Sequence, residues 1–338
     1  MSGGFVPYNL RQNKAIERAV FVDLLQRVAR STQLHIHDYT YVGFAGPFSE
    51  DFKLIHSALG ISRMISVESS SHVHKRQKWN SPISCIDYRH SQATAFVDAF
   101  QPNGPVIAWL DFTTASDIGA QLDQAVMLLS KLAPYDVFKI TVNANDRTLE
   151  PAVRPEDDGA FVAEKIAEAR RRLANHLSAG IQISDEDLDR TGYPKLLLLA
   201  IEAAVKAGLE GKPGCIFLPL TSFVYADSEQ QMLTHTGIVL PETADREKFL
   251  TETRIGRWKL ATTRWGSPRT EPIRINIPEM SIRERLHIDK RLPTNTPSQL
   301  ARSLGHRLAD GSFDRTRQAL ASYKLFYRHY PFFSRVVV

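Results

Sequence analysis

Cysteine is nearly absent from this chain of 338 residues, which contains two, Cys85 and Cys215. Both lie within apolar runs, so neither a disulfide framework nor a cysteine-based metal site is predicted. Long apolar runs are also missing: the most apolar stretch, 196–201, is flanked by Lys195 and Glu202 and is too short to span a bilayer. The first ten residues have no basic segment followed by an apolar one, so no signal peptide is predicted. We therefore expect a reducing, cytoplasmic setting and no membrane partner.

Several nucleotide-site motifs are missing as well. The chain has no G-x-x-x-x-G-K-[ST] loop, which argues against an ATPase or a GTPase. Gly43 and Gly46 do not have the G-x-G-x-x-G spacing that lets a backbone approach a pyrophosphate closely, which disfavours a nicotinamide-dependent oxidoreductase. Residues 110–114 lack an N-P-P-Y-type motif, so a DNA N-methylase is also disfavoured.

Strand and helix patterns alternate five times between residues 39 and 145. The predicted strands are the apolar runs 39–42, 63–68, 83–87, 106–111 and 136–142. This alternation predicts an α/β fold with a doubly wound, mostly parallel, Rossmann-like sheet. Three further runs, 215–220, 222–226 and 231–240, predict an antiparallel hairpin at one edge of that sheet, with its turn at 227–229.

Charge and composition divide the chain into three predicted segments. These are an N-terminal helical segment (1–38), a Rossmann-like domain (39–253, with a helical insertion at about 150–210) and a basic C-terminal subdomain (254–338). The last segment holds 17 Lys and Arg against 6 Asp and Glu, whereas the rest holds 25 against 31. This surplus of positive charge predicts a solvated basic face, a self-association surface, or a surface for nucleic acid or a protein partner.

Acidic residues close three successive predicted strands, at Glu68, Asp87 and Asp111. The carboxyl ends of parallel strands meet at one edge, and α/β sheets bind their ligands at that edge. The first strand is followed by Gly43–Pro47, where two glycines and a proline predict a sharp turn that brings backbone close to a ligand. Ser49 is predicted to cap the next helix.

Five stretches together resemble a divergent class I S-adenosylmethionine-dependent methyltransferase, and more narrowly the bacterial proteins described as O-methyltransferases. They are Tyr41–Pro47, Asp51–His56, Met64–Glu68, Ile86–Asp87 and Trp109–Asp111. The resemblance covers residues 39–145, and the glycine loop departs from the usual G-x-G-x-G of that class.

The resemblance implies S-adenosylmethionine as cofactor and assigns residues to it. Gly43, Phe44 and Gly46 would line its methionine part. Glu68 would accept hydrogen bonds from both ribose hydroxyls, which suits a carboxylate acceptor.

The remaining assignments concern the adenine and the reacting groups. Asp87, with neighbouring Tyr88, would hold the adenine edge. Asp111 would face the sulfonium and the acceptor, where it is the best candidate for a catalytic base. As an alternative, Asp111, Asn143 and Asp146 would hold a divalent cation through oxygen ligands. Our main prediction contains no metal.

Two functional hypotheses of different classes follow. The first is a methyltransferase, most simply an O-methyltransferase, whose segment 254–338 selects an unidentified acceptor. The second is a methyltransferase-like binding or assembly subunit that does not turn over and contacts nucleic acid or a protein. Self-association is compatible with either hypothesis.

Overall fold

The computed structural model describes residues 11–178, 180–226, 229–266, 268–308 and 312–331, and it contains a single eight-stranded sheet in these ranges. Its strands are β1 (Thr40–Gly43), β2 (Arg63–Glu68), β3 (Ile86–His90), β4 (Val106–Asp111), β5 (Val137–Asn143), β6 (Cys215–Ala226), β7 (Gln231–Pro241) and β8 (Ile273–Ile275). They are ordered β3-β2-β1-β4-β5-β7-β6-β8. Strands β1 to β5 are parallel, and β7 is antiparallel to both β5 and β6. The predicted doubly wound sheet with an antiparallel hairpin is confirmed.

Helices cover both faces of the sheet. They are α1 (Gln12–Val28), α2 (Glu50–Leu59), α3 (Ser71–Trp79), α4 (Ala93–Ala99), α5 (Ile118–Leu129), α6 (Asp158–Leu173), α7 (Gly192–Leu209), α8 (Arg246–Glu252), α9 (Ile282–Asp289), α10 (Pro297–Leu304) and α11 (Phe313–Phe326). Buried residues form two clusters, one containing α1, α2 and the C-terminal helices, the other α4, α5 and α7. No helix in the described ranges is both long and apolar enough to cross a membrane.

Helix α2 begins and ends beside the two residues predicted to bound it. Gly60 ends the helix in the left-handed conformation, with φ of 71°, as expected for a glycine C-cap. Ser49 occupies the N-cap position, but its side chain makes no capping hydrogen bond and φ is 48°. Its hydroxyl lies 3.0 Å from that of Tyr88 instead, so the loop after β1 is tied to β3.

Strand β3 begins three residues later than predicted. The prediction placed it at 83–87 because Ile83, Cys85 and Ile86 are apolar. The structure pairs Ile86–His90 with β2 in parallel register. Because β3 is an edge strand, most of its side chains are exposed or half-buried, and an apolar pattern does not mark it.

The segments outside 39–253 pack against the same sheet. Residues 273–275 form β8, which pairs in parallel with β6, and Tyr323 and Phe326 of α11 are buried in the cluster that contains α1. In the predicted insertion, α7 is buried against α5. The three-segment division stays a prediction. Parts of its first and last segments, and of the hairpin turn at 227–229, lie outside the described residues.

Candidate cofactor site

A notch interrupts the carboxyl edge of the sheet at β1. Gly43, the last residue of β1, pairs with Ser66 of β2 and Trp109 of β4. Both neighbours continue for two more residues, to Glu68 and Asp111. At about 3.3 Å per residue, the notch is about 7 Å deep. It lies where the strand order reverses direction between β1 and β4, the place where open α/β sheets bind ligands.

The floor of the notch is closely packed. A Cβ atom at Gly43 would lie 3.2 Å from the hydroxyl oxygen of Tyr41, which is a tight contact, and 3.5 Å from the carbonyl oxygen of Trp109, which is an ordinary one. Phe44 follows directly, and its ring meets the ring of Phe112 edge to face at 5.5 Å. The residues after β1 and β4 are therefore in contact.

Helix α3 holds the loop that leaves β1. The buried amide of Gln77 donates to the carbonyl oxygens of Ala45 and Gly46, the latter at 3.5 Å. Asn80 donates to the carbonyl of Pro47 at 3.1 Å. Three successive carbonyl groups of the loop are thus engaged by α3 and the residue that follows it, which fixes the path of the predicted turn.

Glu68 is fixed at the β2 side of the notch. Its Oε1 accepts a hydrogen bond from the backbone N–H of Ser70 at 2.7 Å, and its carbonyl accepts from the N–H of Ser91 at 3.0 Å. His90, the last residue of β3, pairs with Glu68, and its Nε2 lies 2.9 Å from the carbonyl oxygen of Ser69. Sequence reasoning missed His90 because it placed the end of β3 at residue 87.

Asp87 is not brought to this edge. It pairs with Ile65, three residues before the end of the strand, and its exposed carboxylate forms an ion pair with Arg89 at 2.8 Å. The expectation that Asp87 closes β3 is wrong, because the strand starts later. Tyr88 lies beside the β1 loop rather than at the edge, with its hydroxyl 3.0 Å from that of Ser49.

Asp111 is tied to α1 by a buried arginine. Arg18 Nη2 lies 3.2 Å from Asp111 Oδ2, while its Nε lies 3.2 Å from Asp51 Oδ1 of α2. Its Nη1 contacts Glu17 Oε2 at 3.1 Å and the hydroxyl of Tyr225 at 3.2 Å. Burial lowers the pKa of Arg18, but these partners, Asp51 first, outweigh it and the pKa is raised well above its usual value. Sequence reasoning missed Arg18.

Two lysines carry further charge close to this cluster. Lys139 of β5 is fully buried, with Nζ 2.6 Å from Glu17 Oε1 and 3.9 and 3.6 Å from the ring centres of Phe21 and Trp109. Burial lowers its pKa to about 8, although the Glu17 carboxylate opposes this change. Burial lowers the pKa of Lys14 to about 8 as well. The positive charge of Arg18 is the next largest cause of this decrease.

The start of α2 carries negative charge. A helix N-terminus ordinarily attracts phosphate or another anion, because its N–H groups point outward. Here the first turn contains Glu50 and Asp51. This acidic first turn differs from the helix starts that bind phosphate in dinucleotide sites.

The cation alternative stays a prediction, and one of its residues, Asn143, is held within the local loop. Asn143 uses both ends of its amide in the local loop: Nδ2 donates to the carbonyl of Thr113 at 3.0 Å, and Oδ1 accepts from the N–H of Asn145 at 3.0 Å. Among the residues that the structure describes, no three His, Cys, Asp or Glu side chains are grouped as a metal site would require.

The sheet order, the antiparallel β7 and the notch at the switch point define a Rossmann-like methyltransferase fold. Residues 6–338 match the model of one protein family, whose description is "Putative O-methyltransferase". Because the match spans nearly the whole chain, the chain belongs to this family. Membership confirms the class that the sequence resembles, with S-adenosylmethionine as its cofactor. No curated protein matches the sequence.

Solved structures with a similar fold are distant. The N-methyltransferase NodS from Bradyrhizobium japonicum, crystallised with S-adenosyl-L-homocysteine, has 9% identity and a TM-score of 0.35, covering 66% of this chain and 87% of NodS. An S-adenosylmethionine-dependent methyltransferase from Mesorhizobium loti has 12% identity and a TM-score of 0.38, covering 63% and 95%. Similarities this weak assign no role to any residue.

Proposed function

We propose that the chain transfers a methyl group from S-adenosylmethionine to an oxygen atom of an acceptor, with the cofactor in the notch between Glu68 and Asp111. The observation that carries the proposal is this notch, where two carboxylates flank a glycine floor at the switch point. The acidic first turn of α2 supports it. S-adenosylmethionine carries no phosphate and has positive charge on its sulfonium and ammonium groups, so its chemistry suits this set of residues.

Different residues of the notch would contact different parts of the cofactor. Glu68, fixed by Ser70, would accept hydrogen bonds from the ribose hydroxyls. The backbone of Gly43 and Phe44 would border the methionine part, where a Cβ atom at residue 43 would make a tight contact with the Tyr41 hydroxyl. We place the adenine beside His90 rather than Asp87, because His90 lies at the end of β3.

When bound, the cofactor supplies an activated methyl group, so the protein mainly has to position the acceptor in line with it. Asp111 is predicted to act as a base, but Arg18 already compensates its charge at 3.2 Å. We propose that Asp111, held in place by Arg18, orients the cofactor at the edge of the notch.

Calorimetry with S-adenosylhomocysteine tests the proposal. A hydrogen bond to a charged group contributes about 1.5–3 kcal/mol, so Glu68→Ala should weaken binding by about 10- to 100-fold. The matched control is Glu164→Ala, which removes an exposed carboxylate from α6 and should bind as the wild type does. Absence of binding to the wild-type protein, or equal affinity in Glu68→Ala, would contradict the proposal.

A second candidate function is a binding subunit for a polyanion such as nucleic acid. The observation that favours it is the exposure of several cationic side chains on α9, α10 and α11 and in the turn after α9. They include Arg283, Lys290, Arg302 and Arg317. Ile282 and Leu286, one turn apart on α9, are also exposed, at 71% and 51%.

Fluorescence anisotropy with single-stranded RNA and duplex DNA at several salt concentrations tests this candidate. Replacing Arg283, Lys290 and Arg302 by alanine should weaken binding and reduce the salt slope by about one for each phosphate that is no longer neutralised. A slope near zero for the wild-type protein would exclude a polyanion surface. Binding without methyl transfer to any tested acceptor would favour the subunit over the enzyme.

A further inference from the structure

Arg18 connects the helix before the first strand to the edge where the cofactor is proposed to bind. Its guanidinium makes contacts of 3.1–3.2 Å to side chains from four elements: Glu17 of α1, Asp51 of α2, Asp111 of β4 and Tyr225 of β6. Only 4% of the side chain is exposed. Charge-assisted hydrogen bonds of this kind are the strong and geometrically selective ones. Arg18 therefore holds these elements in one arrangement.

The charges around Arg18 compensate one another. Arg18, Lys139 and Lys14 face the carboxylates of Glu17, Asp51 and Asp111. Removal of one partner from a buried ionic group leaves an uncompensated charge in a medium of low polarity, which is strongly unfavourable. The position of the Asp111 carboxylate therefore depends on Arg18.

We propose that Arg18 is a positioning residue of the methyl-transfer site, which fixes the carboxylate of Asp111 beside the notch and thereby couples the docking of α1 to cofactor binding. This inference rests on the proposed function. Arg18 acts on the cofactor through Asp111 and not by direct contact.

A second arginine of the same helix provides the contrast. Arg27, near the other end of α1, pairs with Asp23 at 3.0 Å and lies over the ring of Trp258 at 4.5 Å. It also fastens α1 to the fold, but neither of these partners belongs to the notch. A purely structural role for arginine on α1 would make both positions equivalent for cofactor affinity.

The test compares Arg18→Met with Arg27→Met. Both should lower stability in urea denaturation, but Arg18→Met should weaken S-adenosylhomocysteine binding about tenfold or more, whereas Arg27→Met should change it by less than about twofold. Hydrogen exchange of the α1 amides should slow on ligand binding in the wild type and in Arg27→Met, and not in Arg18→Met.

A double-mutant cycle separates positioning from general destabilisation. If Arg18 acts through Asp111, Arg18→Met and Asp111→Asn should not be additive: the double variant should bind about as weakly as the weaker single variant. Should Arg18→Met fail to fold, Arg18→Lys replaces it, because lysine keeps the charge but not the fork that reaches several carboxylates. Wild-type affinity in a folded Arg18 variant, or additive losses, would overturn this inference and leave the proposed function intact. Absence of binding to the wild type would overturn both.

Discussion

The buried ammonium group of Lys139 should make the free energy of unfolding of the wild type depend on pH. Replacing Lys139 by methionine should remove this contribution. The side chain is fully buried between the rings of Phe21 and Trp109, and its single ionic contact among the described residues is Glu17 at 2.6 Å. Methionine has a similar length and no charge, so Lys139→Met removes the titrating group while largely filling its space.

The expected magnitude follows from the pKa of Lys139. Burial lowers this pKa from 10.5 to about 8 in the folded protein. Between these two pH values the unfolded chain retains the proton and the folded protein releases it. Stability therefore rises with pH in this window. The fall in pKa corresponds to about 3 kcal/mol of free energy of unfolding at about 1.4 kcal/mol per pH unit.

Urea denaturation from pH 7 to 10.5, followed by circular dichroism, measures this effect. The free energy of unfolding of the wild type should gain about 3 kcal/mol relative to that of Lys139→Met as the pH rises from 8 to 10.5. Other groups titrate in both proteins and largely cancel in the difference. Lys53→Met, which removes an exposed lysine of α2, should show no such gain. A difference between wild type and Lys139→Met that stays constant with pH would refute the reasoning.

Two further changes have defined outcomes. The Nδ1 atom of His235 lies 2.8 Å from the hydroxyl of Ser222, and burial lowers the pKa of His235 to about 4. The wild type should therefore lose about 3 kcal/mol relative to His235→Gln as the pH falls from 6.5 to 4 in equilibrium unfolding, and a constant difference would contradict this. Gly192→Ala would drive a Cβ atom into the backbone of Glu186 and Asp187 and should cost about 1–3 kcal/mol or more in urea denaturation. Gly211→Ala has open space and should stay within about 0.5 kcal/mol of wild type, so equal losses at both glycines would be inconsistent with the packing.

The fold was predictable wherever an apolar run was bounded by turn residues. The predicted bounds of β2 and β4 agree with the structure, since both strands lie inside the sheet and each contains an apolar stretch that ends directly before an acid. The prediction divides β6 into two strands, 215–220 and 222–226. The structure has one strand with a register shift between Pro219 and Thr221, so the interruption is a bulge rather than a break.

The candidate site was predictable only in part. Glu68 and Asp111 end the strands beside the notch as predicted, because the acid follows directly after a buried run in each case. Glu17 and Arg18 were not recognised, since charged residues on a helix ordinarily face water. They are buried because β6, α2 and the end of β4 supply partners from distant parts of the chain. No local pattern contains that information.

Asp51 links the choice of ligand to the docking of α1. In the first turn of α2, its carboxylate opposes a phosphate at the helix N-terminus, which distinguishes this notch from a dinucleotide site. The same carboxylate lies 3.2 Å from Arg18, whose other end holds Asp111. A substitution such as Asp51→Asn would therefore change two properties together. It would reduce the electrostatic repulsion of a phosphate at the start of α2, and it would weaken the attachment of α1. We infer that the charge at the start of α2 and the docking of α1 cannot vary independently in this protein, because the buried carboxylate of Asp51 contributes to both.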